Sequence, residues 1–219
     1  MKRLLYILPL LLFLACDRQN QQDPTPIGYL SVGGIELSCE GEVIPLSRAV
    51  DAGLRVQVWQ NGAMVEGKDF APGTDFSKRI VLPVGSNYTV KAFTPKQSEA
   101  AGNEAGIPVY SVESSPFAVL EGDITTLSLI VPQINVGVGI SCNNLFITNF
   151  TDISVTVLSE SGRSVTIQGA GDSAFRYFTV PTSAKLQYTV KAKNLDGEAM
   201  EKTCDLPVTA KNYKIQLSI

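Results

Sequence analysis

The side chains with the most chemistry to offer in this chain are its four cysteines, and Cys16 is the one whose neighbours say what that chemistry is. It follows Lys2 and Arg3, an apolar run from Leu4 to Leu14, and the small residue Ala15. A charged start, a short apolar stretch and a small residue before the cut make a secretory signal. A cysteine directly after the cut supplies a thiol for lipid transfer, the arrangement of a bacterial lipoprotein signal. Leu4 to Leu14 is well short of the ~20 apolar residues that span a bilayer. The expectation is therefore cleavage after residue 15 and lipidation of Cys16. A diacylglycerol on the thiol plus an N-acyl chain would anchor stably, where a single chain would not.

The other cysteines are Cys39, Cys142 and Cys204. Outside the cytoplasm a disulfide can form, and the loop from Cys142 to Cys204 is long enough for a bond to stabilise the fold. That pair is the candidate disulfide. The alternative is that Cys39 and Cys142 are small buried core residues.

Other chemistry is excluded by composition. The chain has no histidine, so Ser-His and Cys-His nucleophile pairs and His-bearing zinc sites are ruled out. No S-x-x-K, P-loop or G-x-G-x-x-G occurs, and no acidic cluster has calcium-loop spacing. The sequence points to no metal, no cofactor and no enzyme. A net charge of −3 with singly scattered lysines leaves no basic stripe for nucleic acid.

The elements that must carry these residues are strands. Leu54 to Trp59, Tyr88 to Ala92, Val155 to Val157 and Lys214 to Ile219 alternate apolar and polar residues, so one face packs and the other meets water. Gly, Pro, Asn, Asp and Ser separate the runs, and no segment of ten or more residues has a helical period. Trp59 falls on the face opposite Val58, which makes it a candidate binding-face aromatic; packing under a neighbouring loop is the competing expectation. Thr94 to Pro116 reads as the longest loop, either a binding loop or a disordered tip.

The chain also repeats itself in order, roughly one hundred residues apart. Tyr88-Thr-Val-Lys-Ala92 returns as Tyr188-Thr-Val-Lys-Ala192, Ile35 to Cys39 is echoed by Val138 to Cys142, and Val56-Gln-Val58 by Val155-Thr-Val157. Thr126 to Val131 and Lys214 to Ile219 match as closing strands, although the latter could instead be donated to a neighbour. The expected architecture is all-β: a lipoprotein signal peptide over 1–15, a flexible tether over 16–26, and two tandem antiparallel β-sandwich (prealbumin/Ig-like) domains over 27–131 and 132–219.

Several of these residues carry a family resemblance. Leu82-Pro-Val-Gly85-Ser-Asn-Tyr88-Thr-Val90-Lys-Ala92 resembles the turn-and-strand signature of prealbumin-like sandwiches. With Gly28 to Ile35, Ser47 to Val50, Pro108 to Tyr110 and Phe117 to Thr125, it is similar to a family of uncharacterised Bacteroidales lipoproteins. Cys16 with Phe13 and Leu14 resembles the relaxed lipobox of Bacteroidetes. The likeness is thinner in the second half, where Thr182 and Ser183 follow Pro181. More distantly, a lipidated pair of such sandwiches resembles the fimbrillins of surface pili. That resemblance implies proteolytic processing after an arginine beyond the first strand, which makes Arg48 the candidate; an ordinary solvated loop residue is the alternative. Asp172-Ser173-Ala174 resembles the O-glycosylation motif of Bacteroidetes secreted proteins, with Ser173 as the acceptor.

Two function classes follow. One is a structural or adhesive surface lipoprotein of the outer membrane, such as a pilus anchor, accessory or tip subunit, with surface or pilus proteins as partners. The other is a surface glycan- or nutrient-binding lipoprotein, which needs a concave site lined by aromatics. Aromatic residues make up only 8% of the chain and mostly hold core positions, which favours the first.

Overall fold

A computed structural model describes residues 25–39, 42–45, 53–96 and 99–219. Cys16 and Arg48 lie outside the described residues, as do the expected signal and most of the expected tether. The regular elements of the described chain are all strands apart from one short helix.

The first half supplies β1 (Ile27–Cys39), β2 (Glu42–Pro45), β3 (Arg55–Gln60), β4 (Ala63–Phe70), β5 (Ile80–Pro83), β6 (Gly85–Phe93), β7 (Ser111–Glu113), β8 (Phe117–Val119) and β9 (Ile124–Pro132). One sheet is built on β1, with β9 parallel to it from Tyr29–Ile124 to Ser38–Pro132. β5 and β2 pair antiparallel with the beginning and the end of β1. The second sheet runs β4, β3, β6, with β7 and β8 both pairing β6.

The second half supplies β10 (Val136–Cys142), α1 (Asn144–Asn149), β11 (Phe150–Leu158), β12 (Ser164–Gln168), β13 (Arg176–Phe178), β14 (Lys185–Asn194), β15 (Ala199–Pro207) and β16 (Asn212–Leu217). Its sheets run β13, β10, β16 and β12, β11, β14, β15. β16 is parallel to β10, as β9 is to β1. The strand Lys214 to Ile219 that could have been donated therefore closes its own sheet.

The segments that repeat in sequence occupy equivalent places. β6 and β14 carry the Tyr-Thr-Val-Lys-Ala runs, and each pairs antiparallel with the strand that carries its Val-x-Val partner. The register differs. Val58 sits opposite Val90, while Val157 sits opposite Tyr188 and not opposite Val190, the repeat's equivalent of Val90. A slip of two residues keeps every side chain on its own face, whereas a slip of one would turn the core outward.

The alternation explains the burial. Val56, Val58, Tyr88, Val90 and Ala92 are all within 1% of fully buried, each of the valines contributing about 1.5–3 kcal/mol. With Leu30, Leu82, Val119 and Val131 they draw one hydrophobic cluster from both sheets of the first half. A separate cluster draws on Val138, Val155, Val157, Ile167, Phe178 and Leu186. The β3–β4 hairpin turns at Asn61 and Gly62, with φ of 50° and 81°, the left-handed pair that suits strand twist. Tyr88, fully buried, donates its hydroxyl to the Pro83 carbonyl at 2.8 Å and ties down the turn foreseen around Pro83 and Gly85. Helix α1 is a single turn capped by Asn143, whose side chain accepts from the Phe146 amide at 2.7 Å. It presses Phe146 onto Phe150 and plugs one end of the second cluster.

Candidate functional site

The most constrained polar region lies where the halves meet. β9 continues its inward alternation of Leu129 and Val131 into Gln133 and Asn135, both buried. Buried amides must be satisfied, and these are. Gln133 Nε2 donates to the Asn135 carbonyl at 2.9 Å and to Asn212 Oδ1 at 3.1 Å. Its Oε1 accepts from Cys39 Sγ at 3.1 Å. Asn135 Oδ1 accepts from the Val109 amide and its Nδ2 donates to the Ile107 carbonyl, both at 2.9 Å. The amides thus join β1, the connection between the halves, β16 and the chain around residue 108.

That last stretch belongs to Thr94 to Pro116, which is not a free tip. Its residues 99–106 form a strap across the second half, held by Arg163. The guanidinium donates to the carbonyls of Gly102 at 3.1 Å, Tyr177 at 2.6 Å and Glu104. It also stacks on Phe178 at 4.8 Å and faces Glu99 at 3.8 Å. Burial lowers the basicity of this guanidinium while Glu99 and Glu104 raise it. Glu99 in turn accepts from Ser161 Oγ at 2.6 Å and the Thr179 amide at 3.1 Å. Asn103 accepts from the Thr166 amide, and Tyr177 donates its amide to the Ala105 carbonyl. A cavity of about 20 Å³ beside Glu99, Asn135 and Tyr177 has room for a water molecule and not for a sugar.

None of Arg163, Glu99, Gln133 and Asn135 was foreseen. An arginine in Ser161-Gly162-Arg163 reads as a solvated turn charge. Gln133 and Asn135 did carry a signal, two polar residues continuing an inward apolar period.

Trp59 lies where expected, on the outward face of β3, half-buried. Its indole donates to Gln57 Oε1 at 3.2 Å, and Lys91 Nζ lies over the ring, 4.1 Å from its centre. The contacts continue across four strands. Arg55 and Gln57 both bond Asp69 on β4, and Lys91 pairs with Glu113 on β7 at 3.5 Å. Hydrogen bonding from Arg55 holds Asp69 below the usual carboxylate range. This is a flat charged ladder, and one face of the indole is already taken by an ammonium group.

Cys142 and Cys204 are both free thiols, as the buried-thiol alternative has it for Cys142, and the candidate bond is not formed. Cys142 sits at the end of β10 beside Leu217, packed against the second cluster. Cys204 lies on the outermost strand of the opposite sheet, opposite Tyr188. Burial pushes the Cys142 thiol up. Ser173 is exposed in a turn where Asp172 accepts from the Ala174 amide and pairs with Arg176 at 2.6 Å. Among the described residues no acidic, Cys or His group is placed to hold a metal ion, and no helix is long and apolar enough to cross a membrane.

The family model described as a domain of unknown function (DUF4493) matches residues 27–219, from the first residue of β1 past the end of β16. The chain belongs to that family. No curated protein matches it. Among solved structures it is similar to a candidate adhesin of Bacteroides ovatus, with 13% identity, 93% of this chain and 96% of the other covered, and a TM-score of 0.41. It is similar to a candidate cell adhesion protein of Bacteroides uniformis, with 12% identity, 84% and 92% covered, and a TM-score of 0.44. A major pilin subunit of Bacillus cereus, BcpA, shares 15% identity over 77% of this chain and 57% of its own, with a TM-score of 0.27. At these scores the likeness transfers no residue role.

Proposed function

We propose that this DUF4493 chain is a non-enzymatic lipoprotein of the outer membrane, held at Cys16, with a structural or adhesive role at the cell surface. Its two halves act as tandem sandwiches over 27–131 and 132–219, joined stiffly enough to project the second half outward. The observation that carries this reading is the strap. Arg163 is buried at the junction and holds three carbonyls, two of them in the other half. A flexibly linked pair has no use for an arginine desolvated in this way, since its burial costs free energy wherever the contact is not constant. Under this reading Arg48 is a processing site and Ser173 carries a glycan facing solvent.

Labelled palmitate fed to cells should enter the protein and be lost with Cys16→Ser. The envelope protein should resist release by salt and be reached by protease on intact cells. A ladder on unboiled SDS gels assigns it to a pilus; a single monomer band with an uncut Arg48 loop removes the pilus role and leaves a monomeric surface spacer. Saturable polysaccharide binding lost with Trp59→Ala would replace the reading with glycan capture.

A further inference from the structure

We propose that the end of the first half where β1 begins is a lipid-contacting surface, resting on the bilayer that holds the Cys16 anchor. Tyr29 pairs with Val81 on one side and Ile124 on the other. All three point away from the core, because Leu30, Ile80 and Leu82 are the buried members of the same strands. Ile27 shares this face, next to Pro83. Two backbone bonds bring further apolar residues to the same end: Val84 donates to the Pro26 carbonyl and Gly122 to the Ile27 carbonyl, each at 2.9 Å. Ile27, Val81, Val84, Leu120 and Ile124 are between 36% and 58% exposed. A cluster of this kind from three separate segments marks an interaction surface.

Chain length and charge together name the occupant. The stretch from Cys16 to Ile27 reaches at most about 40 Å even if fully extended, so a lipid on Cys16 holds this end within that distance of the bilayer and makes it the nearest part of the described chain. The junction lies at the other end of β1, about 30 Å further along the β1–β9 pair. Glu121 and Asp123 flank the cluster, and residues 25–32, 80–86 and 117–127 hold no lysine or arginine. Apposing two copies would set those carboxylates against each other, which disfavours a dimer through this face. The same charges make the contact one of apolar side chains with zwitterionic lipid, independent of salt, unlike a basic patch on anionic lipid.

This inference rests on the lipid anchor proposed above, and the experiment separates the two. The full acylated chain is placed in phosphatidylcholine vesicles with or without brominated acyl chains, which quench nearby tryptophan. In a Trp59→Phe background, Leu120→Trp should lose at least half its fluorescence on brominated lipid, in low and in 1 M salt. Leu195→Trp, at the most exposed apolar position of the second half, should lose none. Ile27→Trp replaces Leu120→Trp if the latter does not fold. Acyl label at Cys16 with no quenching at either reporter overturns the surface and leaves the anchor. Equal quenching at residues 120 and 195 also overturns it, as does a concentration-dependent blue shift without quenching, which would show a second copy on the face. No acyl label at Cys16 overturns the anchor and this inference together.

Discussion

Arg163 Nη1 lies 3.8 Å from Glu99 Oε1, and the two side chains keep only 5% and 14% of their exposure although they belong to different halves of the chain. Removing Arg163 strands the carbonyls of Gly102, Glu104 and Tyr177 and leaves Glu99 without its cation. Arg163→Ala should therefore destabilise by about 2–4 kcal/mol, and Arg163→Lys, which cannot present a planar fork, by nearly as much. Chemical denaturation reads the loss. Limited proteolysis should then cut within 99–106, and should spare that segment in the wild type.

Acid should weaken the first half through two carboxylates. Hydrogen bonding from Arg55 lowers Asp69, and bonds from the Ser77 amide and hydroxyl lower Asp75. A carboxylate depressed in the folded state stabilises above its unfolded value, about 3.9, and the contribution is lost as pH falls through the folded value. Denaturation midpoints should fall below about pH 4, and the Asp69→Asn, Asp75→Asn double variant should flatten that fall. A profile unchanged by both substitutions would refute the assignment.

The thiols at Cys142 and Cys204 should not be joined in the purified protein. Reducing agent should leave the melting temperature unchanged, whereas a disulfide would contribute roughly 2–4 kcal/mol. Cys142, with its thiolate disfavoured by burial, should react slowly with maleimide until denaturant is added. Mass spectrometry of alkylated peptides checks both.

The strand pattern was legible because each core strand puts Val, Ile, Leu or Tyr at every second position and nothing else explains that period. Val56, Val58, Tyr88, Val90 and Val155 could be placed inside from that alone. So could the outward position of Trp59. The strap was not legible, since 99–106 is polar without period and its partners, Arg163, Ser161, Thr166, Tyr177 and Thr179, lie some sixty to eighty residues later. Helix α1 was invisible for a different reason: six residues are too few to show a period, and its one buried side chain is Phe146. Cys142 and Cys204 stayed open between a bond and buried thiols because spacing along the chain does not reveal which strand, or which sheet, a thiol occupies.

Gly28 should tolerate no side chain. A Cβ there would run into the carbonyl oxygen of Leu120, and a backbone atom cannot swing aside as a side chain can. Gly28→Ala should cost about 1–3 kcal/mol, while Gly34→Ala, with open space around it, should cost little. Melting temperatures of the two variants, measured side by side, decide.

At Trp59 the expected energy is local. A double-mutant cycle of Trp59→Ala and Lys91→Ala should return a coupling of about 0.5–1 kcal/mol. Neither variant should change the ratio of its mobilities in native gels with and without polysaccharide.

The parallel pairing of β1 with β9 has a mechanical consequence. A pull transmitted through residue 25 draws β1 backward along its axis, while resistance from the second half draws β9 forward along the same line. Their ladder, continuous from Tyr29–Ile124 to Ser38–Pro132 but for one bulge near Gly34, is then loaded in shear. All its hydrogen bonds share the force at once, where a ladder peeled from one end would lose them singly. A chain wired in this way resists drag between an anchored end and a held far end.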